Sequence, residues 1–192
     1  MLMLTFWLAG SLSAQDLTDD ELLTKVQQQT FRYFWDFGHP VSGLARERTD
    51  TVHIDHEVVT TGGSGFGVMA IIVGVERGFI TREQGLDRLL KMVHFLDEKA
   101  ERYHGIWPHW LNGTTGKTIA FSAKDDGGDI VETAFLFEGL LMAHQYFDRD
   151  TPKEIELRQE IDKLWREADW RWYTNEQDVL YWHWSPNYGW EM

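Results

Sequence analysis

The sequence predicts an all-α fold in which helices form two concentric layers. Segments that are apolar on nearly every helical face alternate with segments that are apolar on one side only, and this pair occurs twice. The first fully apolar segment is also rich in glycine, which permits close approach between helices. An inner ring needs helices buried all round and an outer ring needs one-sided helices. The pattern therefore indicates a helical toroid built from helix pairs.

The first predicted helix lies in residues 16–37, which begin with acids and continue with apolar residues at helical spacing. Residues 38–63 carry turn residues and mixed charge without a sustained period, so they predict a long loop with a short extended piece. The second helix is expected from Ser64, a suitable N-cap, to a stop at Gly78. The apolar stripe of the first helix comprises Leu22, Leu23, Val26, Phe31, Phe34 and Trp35.

The third helix begins with a capping box, in which Thr81 and Gln84 satisfy main-chain amides of the first turn. Its apolar residues lie on one stripe, which predicts an outer helix. Residues 101–128 form a second long connection that is rich in glycine, Trp and His. A nearly all-apolar helix follows at residues 129–147, and its composition predicts an interior position.

The last predicted helix lies in residues 152–173, which are charged and carry one apolar stripe, as expected of an outer helix. Residues 179–192 alternate in the manner of a short strand or hairpin segment. The stripe of this last helix comprises Ile155, Ile161, Leu164, Trp165 and Ala168.

The composition excludes several classes of function. The 18 basic and 31 acidic side chains give a formal net charge of −13, which would repel nucleic-acid phosphates and anionic lipid headgroups. The absence of cysteine removes disulfides, thiolate metal sites and thiol nucleophiles. We therefore expect no nucleic-acid partner.

Residues 1–14 have the layout of a signal peptide, with an apolar run followed by small residues that end at Ala14, although the positively charged start is missing. The run is too short to cross a bilayer. We expect a mature chain that begins at residue 15, is periplasmic or secreted, and does not insert into the membrane.

Four acidic residues surround the start of the fourth helix, namely Asp125, Asp126, Asp129 and Glu132. Asp129 and Glu132 stand three residues apart, so they could form a capping box. Capping accounts for two acids but not for four, and the alternative is catalysis by one of them. A general acid must be protonated at the working pH, so we expect burial to raise the pKa of one acid.

The aromatic residues indicate which substrate these acids would act on. Flat rings with a polar edge suit the C–H faces of sugars, although any one ring could equally be a core residue. Asp129 and Glu132 would approach a glycosidic bond from one side, so the second carboxylate is expected from another segment. The local candidates are Asp125 and Glu191, and a carboxylate beyond residue 192 is the other alternative. The rings that cluster in loops and turns are Trp107, Trp110, Trp182, Trp184, Tyr188 and Trp190.

Residues 53–57 hold two histidines and two acids, but their spacing matches no strong zinc signature and the segment is a predicted loop. We expect neither a metal nor a cofactor. His109 and His183 each adjoin a Trp, and they are interpreted as contacts to sugar hydroxyls or as buried histidines.

Four separated segments, GLARERTD, HEVVTTGGSGFGVMAIIVGVERGFITR, GGDIVETAFLFEGLLMAHQYFD and HWSPNYGWEM, resemble glucoamylase-like domain proteins of bacterial polysaccharide degradation in the same order. This group includes endo-β-1,2-glucanases, and the resemblance covers residues 20–192. It implies an (α/α)6 barrel. Residues 15–192 would form an incomplete N-terminal portion of that domain, with the C-terminal half absent.

The resemblance also implies a set of site residues. The acidic cluster of the family matches DDGGDIVE here, which makes Asp125, Asp129 and Glu132 candidates for catalysis or for orienting the substrate. Family members continue past the last matching segment and hold a further site glutamate there. The substrate-binding residues implied by the cleft-lining segments are Arg46, Trp107, His109, Trp182, Trp184 and Tyr188.

The leading hypothesis is a glycoside hydrolase that acts on a glucan polysaccharide or oligosaccharide by carboxylate acid/base catalysis, with β-1,2-glucan as the candidate substrate. We expect these 192 residues to be inactive alone. One alternative is a non-catalytic carbohydrate-binding or scaffold domain. Another is a helical interaction module, which predicts buried Trp side chains.

Overall fold

The computed structural model describes residues 17–49 and 56–191. The predicted signal peptide at residues 1–14 lies outside the described residues, as do His53 and Asp55 of the weaker metal candidate.

In this described part, five α-helices dominate the fold, which confirms the all-α prediction. The second helix packs chiefly on the fourth, the first and third pack on the second, and the fifth packs on the third and fourth. Two inner helices therefore have three outer helices around them, as the alternation of patterns predicted. The helices are α1 (Asp19–Asp36), α2 (Thr61–Glu76), α3 (Arg82–Glu98), α4 (Ile130–Tyr146) and α5 (Pro152–Glu167).

The two inner helices, α2 and α4, meet through glycine. A Cβ atom placed on Gly65 would lie 2.0 Å from the main-chain oxygen of Phe135, and one on Gly139 would lie 2.3 Å from the oxygen of Gly65. Only a residue without a side chain permits this backbone contact. The interpretation of these glycines as close-packing residues is therefore confirmed.

Short strands connect the two long loops to the inner helices. Strands β1 (Val58–Thr60), β2 (Trp110–Asn112) and β3 (Thr118–Ile119) form an antiparallel sheet in that order. Strands β4 (Gly128–Asp129) and β5 (His183–Trp184) form a second antiparallel pair. As a result, the starts of α2 and α4 lie beside the loops that hold the predicted site residues.

Several local predictions about the helices need correction. Helix α2 begins at Thr61 rather than after Ser64, because the Ser64 hydroxyl accepts the main-chain N–H of Ala45 and donates to the oxygen of Thr60 instead of capping the helix. Helix α5 turns Leu157 into the core, and two members of its predicted stripe are exposed. In all, the exposed members of the predicted stripes are Leu22, Leu23, Val26, Ile155 and Trp165.

The inner helices also leave apolar side chains at the surface. The ring of Phe66 on α2 is 49% exposed, and Met142 on α4 is 47% exposed. Within the described residues, no helix has both the length and the apolar character that a membrane span requires.

Candidate functional site

The start of α4 is built around Asp129, which is fully buried. Its Oδ1 accepts the main-chain N–H groups of Val131 at 2.9 Å and Glu132 at 3.0 Å, so Asp129 is the N-cap of α4. This leaves Oδ2 free to face the site. The capping interpretation is therefore correct for one oxygen of Asp129.

Glu132 does not complete a capping box. The main-chain N–H of Asp129 donates to the oxygen of Trp107 at 2.9 Å, and Glu132 instead accepts the N–H of Gly62 through Oε2 at 2.9 Å. Gly62 lies in the first turn of α2, whose own N-cap, Thr60, makes no side-chain cap bond. Glu132 thus serves the amino end of a neighbouring helix, where a negative charge is favoured.

His109 lies between these two carboxylates. Its Nδ1 is 3.5 Å from Asp129 Oδ2, and its Nε2 is 3.9 Å from Glu132 Oε1. The ring stacks on Phe121 with centroids 4.1 Å apart. Burial, the largest single effect, lowers the pKa of His109, but the close approach of Asp129 and the charges of Glu132, Asp129 and Asp125 outweigh it and raise the pKa overall.

Asp125 is the second buried acid of the site, with 4% of its surface exposed. Its Oδ1 lies 3.3 Å from Nε2 of the buried His183, which accepts the N–H of Gly127 at 3.1 Å. Burial raises the pKa of Asp125, the nearby charge of Asp129 raises it further, and His183 opposes the change. The expectation that burial raises the pKa of one acid is thus confirmed for Asp125.

Three polar atoms of this cluster are buried without a hydrogen-bond partner among the described residues: His109 Nδ1, Asp125 Oδ1 and Asp129 Oδ2. Each of the three residues offers a ligand atom within 4.8 Å of the others. The nearby charge of Asp129 helps to raise the pKa of Asp125, which favours the protonated form of Asp125. The same atoms are also of the types that could hold a cation.

Asp126 has a structural role. Its Oδ1 accepts the hydroxyl of Ser185 and its Oδ2 accepts the side-chain amide of Asn187 at 2.6 Å. Burial would raise the pKa of Asp126, but these two hydrogen bonds lower it overall. Asp126 therefore ties residues 185–188 to the acidic segment.

Two residues predicted to bind substrate have other roles here. Trp107 is fully buried, donates from Nε1 to the oxygen of Leu96 and packs on Phe137, so it is a core residue rather than a surface for a sugar. Arg46 donates to the main-chain oxygens of Phe37 and His56, which braces the loop between α1 and α2. The structure does not bring Arg46 into the acidic cluster.

The remaining predicted aromatic residues lie at the surface or near it. Trp182 is 55% exposed, and its main-chain oxygen accepts the N–H of Ile130, which places it beside the start of α4. Tyr188 is 42% exposed, and Trp184 lies in β5 opposite Gly128. Glu191, the other local candidate for a partner carboxylate, instead pairs with the ammonium of Lys124 at 2.6 Å.

Sequence reasoning missed one residue of the site and left the role of another open. Gly62 was absent from the candidates, although the Gly-Gly pair after β1 was a signal for close backbone approach. His183 was interpreted as a sugar contact or a buried histidine, and it is buried. Its place next to Asp125 depends on the pairing of β4 with β5, for which the sequence carries no local signal.

Comparison with known proteins gives close relatives, although no protein-family model matches the chain. A curated protein of Parabacteroides distasonis, named exo beta-1,2-glucooligosaccharide sophorohydrolase (non-reducing end), is 51% identical over 183 residues, which are 94% of this chain and 25% of that protein. The solved endo-beta-1,2-glucanase of Chitinophaga pinensis, in complex with sophorotriose and glucose, is 55% identical with a TM-score of 0.89, over 92% of this chain and 43% of that chain.

A provisionally named glucoamylase from Bacteroides uniformis is 64% identical with a TM-score of 0.87, over 92% of this chain and 42% of that chain. The chain thus spans about a quarter of the curated relative and less than half of each of these solved chains. The helical layers described above agree with a partial toroid of this kind. The resemblance that the four sequence segments carry is therefore confirmed, because nearly the whole chain is similar in sequence and in fold to these proteins.

Proposed function

We propose that this chain carries a glycoside hydrolase site that acts on a glucan, with β-1,2-linked glucose units as the substrate. Asp125, Asp129 and Glu132, which surround His109 at the start of α4, form what we call the carboxyl cluster. This cluster supplies the chemistry for the reaction. The names of the Parabacteroides and Chitinophaga relatives support the linkage, since both proteins act on β-1,2-glucans or their oligosaccharides.

The observation that carries the proposal is a pair of buried carboxyl groups, those of Asp125 and Asp129, next to His109, which also lies near the more accessible carboxylate of Glu132. Asp125 has a raised pKa, so it is the candidate for the proton donor. The side chain of Glu132 is 18% exposed and accepts the N–H of Gly62, so Glu132 is the candidate for the second carboxyl group that faces the sugar. Asp129 is fully buried, and it holds the main chain of Glu132 through the α4 cap while its second oxygen faces His109.

The test replaces Asp125 by Asn and Glu132 by Gln, separately, in the protein as its gene encodes it. We expect release of reducing sugar from β-1,2-glucan to fall at least about a hundredfold in each variant, because general acid or base catalysis is lost. Asp126→Asn is the matched control, since both carboxylate oxygens of Asp126 accept hydrogen bonds from Ser185 and Asn187. Unchanged sugar release in both site variants would refute the assignment.

A binding-only domain is the second candidate, and the deep burial of Asp125 and Asp129 favours it. In that case the acids would only cap α4 and shape the surface. Calorimetric titration with β-1,2-gluco-oligosaccharides, followed by product analysis, separates the two candidates, because heat of binding without any cleavage supports the binding domain. A protein-interaction module with buried Trp side chains is disfavoured, since Trp182 is 55% exposed.

Export to the periplasm or the medium is also part of the proposal, since a polysaccharide substrate has to meet its hydrolase outside the cytoplasm. The apolar start of the chain, residues 1–14, supports this. Mass spectrometry of the protein from its native host should find a mature chain that begins at residue 15. An intact residue 1 in the purified protein would contradict export by cleavage.

A further inference from the structure

A cavity of about 810 Å³ is lined mainly by residues 169–177, which follow α5 in the chain, and by Trp190, which follows β5. Its lining contains two indole rings, those of Trp172 and Trp190, whose centroids are 6.2 Å apart with an angle of 36° between the planes. None of the cavity's lining residues belongs to the carboxyl cluster. The cavity is therefore a separate feature of the surface.

Contacts with two neighbouring rings, those of His104 and Trp184, hold the ring of Trp172 in place. The imidazole of His104 stacks on it at 3.7 Å with an angle of 15°, and Trp184 meets both rings edge to face. His104 has a positive φ of 52°, which is uncommon for a residue other than glycine. His104 covers one face of the indole and Trp172 is still 39% exposed, so part of this side chain remains accessible to a ligand.

The rim of the cavity is polar, and its backbone is unusual. Asn175 and Glu176 are consecutive residues with φ of 48° and 60°, and both line the cavity. Consecutive left-handed residues other than glycine store strain, which is typical of ligand-binding segments. Asp169 accepts the N–H of Trp172 at 3.0 Å, so the rim and the indole are joined.

The charges of the lining narrow the class of ligand. Asp169 and Glu176 outnumber the one guanidinium of the lining, that of Arg171, and the whole chain carries a net charge of −13. An anionic ligand such as a phosphate or a nucleotide would be repelled. A flat indole face beside amide and carboxylate groups instead suits a neutral sugar, which stacks through its C–H face and bonds through its hydroxyls.

We propose that this cavity is a second saccharide-binding site, which takes neutral gluco-oligosaccharides on the accessible part of the Trp172 indole. Trp184 connects the two sites, because it contacts Trp172 and lies in β5 opposite Gly128, at the start of the carboxyl cluster. The inference rests on the proposed function only for the identity of the sugar.

The experiment titrates the 192-residue chain with β-1,2-linked gluco-oligosaccharides, by calorimetry and by NMR of the indole N–H groups. We expect a saturable shift of the Trp172 indole signal. Trp172→Ala should weaken binding at least about tenfold, as expected for loss of a stacked aromatic ring. Trp165→Ala is the matched control, since Trp165 is 41% exposed and lies outside the cavity lining, and it should bind as the parent does.

A second variant, Asn175→Gly, guards against misfolding of Trp172→Ala, because glycine keeps the left-handed backbone while the amide is removed. Its binding should weaken by about threefold. Full affinity in a folded Trp172→Ala, or no binding by the parent, would overturn the inference. Loss of binding in Glu132→Gln would also overturn it, because the sugar would then occupy the carboxyl cluster. Retained binding together with unchanged hydrolysis in the Asp125 and Glu132 variants would instead overturn only the proposed function.

Discussion

The outer and inner helices begin in different ways. Helix α3 starts with a complete capping box between Thr81 and Gln84, and α5 starts with Thr151, whose hydroxyl accepts the N–H of Glu154. Helix α2 has no side-chain cap of its own and relies on Glu132, a residue 70 positions further along the chain. Helix α4 has a cap, Asp129, but the second oxygen of that cap faces His109.

This difference shows where the molecule combines stability with chemistry. At the starts of the outer helices, side chains from the same turn accept the free main-chain N–H groups. At the starts of the inner helices, the free main-chain N–H groups donate to carboxylates that also form the candidate site. A change at an outer end should therefore affect stability alone, whereas a change at an inner end should affect both stability and activity.

The largest expected effect concerns the contact between the two inner helices. Gly65→Ala places a Cβ atom 2.0 Å from the main-chain oxygen of Phe135, and a main chain inside a helix cannot move aside. We expect the free energy of unfolding to fall by about 4 kcal/mol. Chemical denaturation followed by circular dichroism measures this loss.

Gly78→Ala is the control for this change. Gly78 has a φ of 69°, and no atom lies within 4 Å of the position that its Cβ would take, so only backbone strain opposes the substitution. The expected cost is about 1 kcal/mol. Equal losses in the two variants would mean that the inner helices do not depend on close contact at Gly65.

Sequence patterns predicted the layers because the information is local. Helical periodicity separated the inner from the outer helices, and the Thr81 capping box and the Gly78 stop lie within one turn of the helix ends that they define. The apolar stripes were less reliable. Leu22 and Leu23 satisfy the period of α1 but are exposed, since periodicity indicates a face and does not show what covers it.

The candidate site was predicted in part, for the same reason. The acids of one segment, Asp125 to Glu132, could be recognised together because they are close in the sequence. Their partners Gly62 and His183 could not be recognised from the sequence. Helix packing and strand pairing bring these two residues to the site from distant parts of the chain. Trp107 illustrates the opposite error, since an aromatic residue in a loop segment was assigned to the surface and is fully buried.

The second prediction concerns the paired acid that joins two outer helices. Glu154 is buried and accepts two hydrogen bonds from the guanidinium of Arg82, at 2.8 and 2.9 Å. Arg82→Met leaves the carboxylate without its partner, so we expect a loss of about 3 kcal/mol at neutral pH. Urea denaturation over a range of pH measures the loss.

The pH dependence of this loss has a definite sign. The hydrogen bonds from Arg82 lower the pKa of Glu154 below 4.5, so the pair stabilises the fold above that pH and its contribution disappears as the pH falls through the lowered pKa. The difference between the parent and Arg82→Met should therefore shrink in acid. A loss that stayed constant down to the lowered pKa would show that Arg82 acts by packing rather than by charge.

The third prediction compares the cap of an outer helix with that of an inner helix. Thr151→Ala removes the cap of α5 and should cost about 1 kcal/mol without changing hydrolysis. Asp129→Asn keeps a good cap on α4 but removes the charge beside His109, so stability should change by less than about 0.5 kcal/mol while hydrolysis is lost. Full activity in folded Asp129→Asn would mean that this inner cap is only structural.

The smallest effect on stability is expected at Asp125, and its sign is opposite to that at Glu154. Burial raises the pKa of Asp125, so its contribution to stability is complete below 3.8 and is lost as the pH rises through the raised pKa. Asp125→Asn cannot ionise, so the variant should be more stable than the parent at neutral pH, and this advantage should vanish near pH 3.8. Thermal denaturation of both proteins across this pH range gives the difference directly. A variant that is less stable than the parent at neutral pH would show that ionised Asp125 is held by favourable contacts, and the inner acid would then resemble the outer one.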